Sequence, residues 1–245
     1  RRPAAGGKGN GRDRIPRQEA PDRPGLAARK AAARLLAAVI DAKTPLDGLT
    51  DNEHGHPQYL ALEGRDRALV RAILATALRH RNTIAALVSA RLERPLPANA
   101  HALSHILHVG AAQMLFLDIP DSAAVDLAVE HARSDPRSAR FASLVNAVLR
   151  EIGRRKERAL PAVLEKTIDA PDWFAERLEA AYGPERARTI LAMHRLEGPT
   201  DFTVKSDAAG WAEKLGGIAL PNGTVRVARP AASIPDLPGF AEGAW

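Results

Sequence analysis

Between Leu26 and Gly153 the apolar residues of this chain return every three or four positions in six successive runs. That spacing commits the segment to amphipathic helices that bury their stripes against one another. The runs fall at about 26–43, 65–80, 82–92, 100–117, 120–133 and 138–153. Leu35, Leu36, Val39 and Ile40 form the first stripe; Leu69, Val70, Ile73, Leu74, Ala77 and Leu78 form the second. Asn82 is placed to cap the third run, Pro95 and Pro97 break the chain after it, Pro120-Asp121-Ser122 opens the fifth and Ser138 the sixth. Residues 44–62, with Pro45, Gly48, Gly55 and Pro57, read as a loop. Hydrophobic residues are 45% of the chain but aromatics only 4%, so the core must be made of Leu, Ile, Val and Ala, which favour helix on helix.

Shorter and more polar helices are expected at about 159–168, 171–181 and 185–195, with Pro171 in a first turn and Gly183-Pro184 as a break. After Pro199 the period changes: Phe202 and Val204, then Ile218, Leu220, Val225 and Val227, alternate as half-buried strands do. Asn222-Gly223 is a hairpin turn signal. The fold class is therefore mainly α. An all-α bundle is expected over 25–155 and a small α+β subdomain over 156–245, a division that 245 residues readily support.

The net charge is +6 and the pI about 10.0, which point towards a polyanion. Residues 1–24 carry seven Lys and Arg against three Asp and Glu, and so hold four of those six charges; with their glycines and prolines they are expected to form a disordered basic tail. The run Gly6-Gly7-Lys8-Gly9-Asn10-Gly11 fits neither the dinucleotide nor the Walker spacing. With no cysteine, thiol nucleophiles, disulfides and thiolate metal sites are excluded. No apolar run approaches the roughly 18 residues of a membrane span, and no apolar segment follows the first cations as in a secretory signal. The expectation is a soluble, cytoplasmic, monomeric protein without a membrane partner. Arg1 and Trp245 both read as cut ends, so the chain is expected to be a piece of something longer.

Candidate phosphate contacts follow from cations on helix faces. Arg29, Lys30 and Arg34 lie on the polar side of the first run; Arg65, Arg67, Arg71, Arg79 and Arg81 lie along or just beyond the second. Arg150, Arg154 and Arg155, with Lys156 and Arg158, cluster at the end of the sixth. Phosphate contacts require only a cation within reach. Plain solubility accounts for the first two groups equally well, and the helix dipole for the third. His101, His105 and His108 sit opposite Leu103, Ile106, Leu107, Gly110, Met114 and Leu117, which places them away from the core, on a solvated or interdomain face; no third ligand completes a metal site there. No base–nucleophile spacing or glycine turn after a strand marks a catalytic or cofactor site, and Glu176 and Glu179 read as solvent-facing charges.

Two segments carry a resemblance. Pro120-Asp121-Ser122-Ala123-Ala124-Val125-Asp126-Leu127-Ala128-Val129-Glu130, followed by Arg140-Phe141-Ala142-Ser143-Leu144-Val145-Asn146-Ala147-Val148-Leu149-Arg150, resembles the NusB-like domain at the front of the RsmB (Sun/Fmu) ribosomal RNA methyltransferases. Arg29-Lys30-Ala31, Arg65-Asp66-Arg67 and Gln113-Met114-Leu115-Phe116 are similar to runs of the same domain. Pro171-Asp172-Trp173 with Tyr182-Gly183 resembles the family's next segment, and Leu237-Pro238-Gly239-Phe240-Ala241-Glu242-Gly243 the stretch before its catalytic domain, so the likeness covers about 26–245.

The resemblance implies a parent enzyme that transfers a methyl group from S-adenosylmethionine to carbon 5 of a cytosine in small-subunit ribosomal RNA, using one cysteine to attack carbon 6 and a second to help release product. It implies that those cysteines and the cofactor sheet lie beyond Trp245, so that this chain is an inactive RNA-docking portion with no catalytic, cofactor or metal residue. Lys205, in Thr203-Val204-Lys205-Ser206, stands where many members have an arginine and is a further RNA-contact candidate. A NusB-like antitermination adaptor that binds a protein partner, and a purely structural support domain, remain alternatives.

Overall fold

The computed structural model describes residues 23–97, 99–232 and 234–245; the basic tail expected over 1–24 lies outside the described residues except for Arg23 and Pro24. The chain divides into one unit that ends at Thr167 and a second over Ile168–Trp245.

In the first unit α1 (Leu26–Ile40) leads through two single turns, α2 (Leu46–Leu49) and α3 (Pro57–Leu60), into α4 (Gly64–Arg79) and α5 (Arg81–Ser89). Then follow α6 (His101–Phe116), α7 (Asp121–Ser134), a 3-10 turn (Ala139–Phe141) and α8 (Ala142–Lys166). The sixteen residues of α6 include no Asp, Glu, Lys or Arg, and eleven of them are buried. A helix without a charged face can only be stable when it is surrounded, and α6 packs against α1, α4, α5, α7 and α8. Around it α4 meets α1, α1 meets α7, α7 meets α8, α8 meets α5, and α5 returns to α4. Five helices therefore form a ring about a sixth, and the core is aliphatic, with Leu35, Leu36, Ile73, Leu74, Ile106, Leu107 and Leu149 fully or almost fully buried.

Two close approaches set the ring. A Cβ on Gly110 of α6 would lie 2.7 Å from Leu149 Cδ1 of α8, and Leu149 has no exposed surface into which to move. Replacing Gly110 by valine is expected to cost about 2 kcal/mol by overpacking, despite the poor helix propensity of glycine; urea melts will show it as a lower midpoint, and an unchanged midpoint would contradict this packing. On α8, Gly153 has Met114 Cε and Asp121 Oδ2 each 3.0 Å from where its Cβ would stand. The glycine that looked like a helix end is thus a contact point. The helix continues through the expected boundary at 155 to Lys166, past an exposed Pro161, and merges the run at 138–153 with most of that at 159–168.

The second unit holds the helical pair α9 (Asp172–Tyr182) and α10 (Pro184–Met193), then β1 (Thr200–Thr203), α11 (Ala208–Leu215), β2 (Ile218–Ala219) and β3 (Thr224–Val227). The strands form an antiparallel sheet in the order β1-β3-β2. Asn222-Gly223 makes the expected turn, with Gly223 at φ 81° and the Asn222 side chain accepting the Thr224 N–H at 3.1 Å. Phe202, Ala212, Leu215, Val225, Val227 and Leu237 form its core, with Trp211 and Trp245 packed against them. The mainly α class, a helical bundle followed by a small α+β portion, is as the sequence predicts.

Candidate nucleic-acid interface

The cations singled out by the sequence fall into different surroundings. Lys30 and Arg34 are one turn apart on α1 and border a cavity of about 360 Å³ between α1, α6 and the end of α7. Arg137 stands across it, on the connection from α7 to α8. That connection is fixed by its own polar groups. Asp135 Oδ1 accepts the Arg137 N–H at 2.9 Å, the Asp135 carbonyl accepts the N–H groups of Ser138 and Ala139, and the buried Ser138 hydroxyl donates to the Ala132 carbonyl at 3.0 Å. An aspartate that turns the chain onto its own side chain holds a short loop in one shape. A second depression, of about 350 Å³, shares Pro136 and Arg137 with the first and ends on Arg140 and Phe141. The Arg140 guanidinium lies 4.6 Å from the Phe141 ring centroid. The two form a seam with four cations and one aromatic ring.

His131 lies on the wall of the first cavity. Burial, reinforced by the positive charge of Lys30 and opposed by Asp135, pushes its pKa down to about 4. At neutral pH it adds hydrogen-bonding capacity to the wall without charge.

Arg29 is corrected. Instead of facing solvent it is 9% exposed, donating from Nε to Gln113 Oε1 at 2.9 Å and from a terminal nitrogen to the Gly25 carbonyl at 3.1 Å. Burial lowers its pKa and Asp66 opposes the shift. It ties α1 to the core helix. Arg67 and Arg71 also have internal partners: Arg67 donates to the carbonyls of Leu62 and Leu60, Arg71 to the Thr50 carbonyl and Asn52 Oδ1, and both guanidinium groups lie over the buried Tyr59 ring at 5.7 and 5.4 Å. They clasp the α2–α3 segment onto α4. Arg65 and Arg81 are exposed and Arg79 is half-buried.

On α8, Arg150 donates to Asn146 Oδ1 at 2.9 Å, while Arg154 and Arg155 both pair with Glu151 and hold its carboxyl below its ordinary range. Lys156 pairs with Asp121 at 2.9 Å. In the ring α7 separates α8 from α1, and α5 separates it from α4, so these arginines are not gathered with Lys30 and Arg34. Lys205 is exposed in the second unit, its backbone N–H donating to the Ala244 carbonyl.

The histidines are corrected too. His105 and His108 are 5% and 8% exposed, because α6 has neighbours on every side. His105 Nε2 lies 2.8 Å from Asp41 Oδ2, and His108 Nδ1 donates to the Ser104 carbonyl at 2.9 Å. Burial lowers the His108 pKa, helped by the charges of His105 and Arg81. Only His101 of the three is exposed. The sequence reasoning missed Arg137, Arg140 and Phe141; the available signal was Asp135-Pro136-Arg137-Ser138-Ala139-Arg140-Phe141, a loop in which cations and an aromatic interleave.

The first unit is thus a ring of helices around an uncharged one, with cations along the seam beside α7. Residues 26–154 match the NusB family, and the chain belongs to that family. Over 89% of its length it is also similar to proteins named Ribosomal RNA small subunit methyltransferase B, with 35% identity to that of Xanthomonas campestris pv. campestris and 36% to that of Xylella fastidiosa. A further one, from Klebsiella pneumoniae, is 28% identical over 88% of the chain. The chain spans about half the length of these curated relatives, 50% of the first and 51% of the other two. The crystal structure of PH0851 shares the fold with a TM-score of 0.52 at 14% identity, over 91% of this chain and 52% of that one.

Proposed function

We propose that the helical unit docks small-subunit ribosomal RNA for methylation by a methyltransferase of which this chain forms a part. The observation that carries this reading is the seam in which Lys30, Arg34, Arg137 and Arg140 converge with Phe141 on two adjoining depressions. Cations of this kind hold a phosphodiester strand by displacing its counterions, with little regard for sequence. The similarity to proteins named small subunit methyltransferases supports small-subunit ribosomal RNA as the class of RNA. The exposed Arg65, Arg81 and Lys205 are candidates for outlying phosphate contacts, and Arg79 and the α8 arginines are weaker ones.

The reaction proposed for the whole enzyme is methylation of cytosine at carbon 5, with the methyl group drawn from S-adenosylmethionine. Among the described residues the sheet is antiparallel and no strand runs through a glycine turn into a helix. The chain has no cysteine to attack carbon 6. Its part in the reaction is to bind and orient the RNA, and it does so as a monomer in the cytoplasm.

The test is the salt dependence of binding to a small-subunit ribosomal RNA fragment. Four phosphate contacts to a single strand give a slope near −3 in log affinity against log salt, a loss of roughly fiftyfold between 50 and 200 mM. An affinity that ignores salt would refute electrostatic docking.

A further inference from the structure

The shape of the seam says what form of RNA it takes. The first cavity, at about 360 Å³, falls in the lower part of the roughly 300–1,000 Å³ range of small-molecule sites. Small side chains, Ala33, Ala37 and Ala102, give it an apolar floor together with Ile106. Its charged lining is Lys30, Arg34 and Arg137 with one carboxylate, Asp135, whose Oδ1 accepts the Arg137 N–H. An apolar floor beneath a cationic rim suits a molecule with a flat ring at one end and a phosphate at the other. A continuous RNA helix presents only its outer phosphates and a shallow groove and cannot fill such a recess, whereas a base that has left its stack can.

We propose that this cavity is a binding site for one unpaired nucleotide of an RNA strand, with a neighbouring base stacked at the Arg140–Phe141 pair in the adjoining depression. The proposal rests on the docking function above and specifies its ligand: a bulged or looped nucleotide. The base sits on Ala37 and Ala102, its flanking phosphates meet Lys30, Arg34 and Arg137, and the Gln58 amide at the edge of the cavity is available to a base edge. Guanidinium and aromatic planes both stack bases without demanding a particular one.

The experiment uses the 245-residue chain and three RNA hairpins, each closed by a non-nucleotide linker so that no loop base is free, and identical except at one position: uninterrupted, with a single bulged nucleotide, and with that nucleotide abasic. The bulged hairpin is expected to bind about tenfold tighter than the other two. Ala102→Phe, which fills the cavity from α6, is expected to abolish this preference while keeping the weaker, salt-dependent affinity for the uninterrupted hairpin. Equal affinity for all three hairpins overturns the proposal while leaving the docking function standing. So does a preference that survives in a folded Ala102→Phe protein. If that variant does not fold, the abasic hairpin decides alone. A free nucleoside monophosphate binding as tightly as the bulged hairpin would make this a mononucleotide site and overturn the assignment to a strand. No affinity for any hairpin at low salt would remove the docking function, and the nucleotide site with it.

Discussion

Arg29→Ala is expected to lower the unfolding free energy of the helical unit by about 3 kcal/mol, and to leave the RNA affinity of the folded protein unchanged. The substitution removes the donor to Gln113 Oε1, and Gln113 is 1% exposed, so no water replaces it. A buried acceptor stripped of its donor costs about 1–3 kcal/mol, and the space left by the aliphatic stem adds to that. Gln113 cannot turn to another partner freely, because its Nε2 already donates to the Val109 carbonyl one turn back. Arg29→Met, which keeps most of the stem, should lose less. Thermal melts give the test: a loss of this size lowers Tm by about 10 °C for a unit of this length. A protein with normal Tm but weaker, less salt-sensitive RNA binding would return Arg29 to the phosphate contacts.

The same residue shows what the sequence could and could not convey. Helices were legible wherever one face is apolar and the other charged, as in α1, α4 and α7, because periodicity reports that asymmetry directly. What periodicity cannot report is a polar side chain that turns inward, and Arg29 looks like any surface arginine until Gln113 is placed against it. The histidines of α6 failed for a related reason. A helical wheel assigns a solvent side to every helix, but α6 has no such side. The absence of Asp, Glu, Lys and Arg from all sixteen of its residues was the better signal, since a solvated face carries charges. Gly153 was misread because a glycine that ends a helix and one that admits a neighbouring helix are the same letter; Met114 and Asp121, distant in sequence, make the difference. The seam was half legible. Lys30 and Arg34 stand on a helix face, while Arg137, Arg140 and Phe141 gain meaning only once the α7–α8 connection folds back beside α1.

Reversing the charge of the seam should therefore separate it from the rest of the basic surface. The triple variant Lys30→Glu, Arg34→Glu and Arg137→Glu is expected to bind the ribosomal RNA fragment on the order of a hundredfold more weakly at 0.1 M salt. Each lost single-strand phosphate contact removes about 0.7 from the logarithmic salt slope, and hence about 0.7 log units of affinity at that concentration, so three contacts give about two log units. The counterion contribution vanishes near 1 M salt, where wild-type and variant affinities should converge. Replacing Arg150, Arg154 and Arg155 by glutamate is the matched control, with the same change of charge. All three are exposed, but Arg150 is held by Asn146, Arg154 and Arg155 share Glu151, and α7 stands between their helix and α1. Their reversal adds negative charge without removing a seam contact and should cost only a few-fold, at the level of long-range repulsion screened over about 10 Å. Equal losses from the two variants would mean that RNA responds to net charge alone, and the seam would then be a feature of packing.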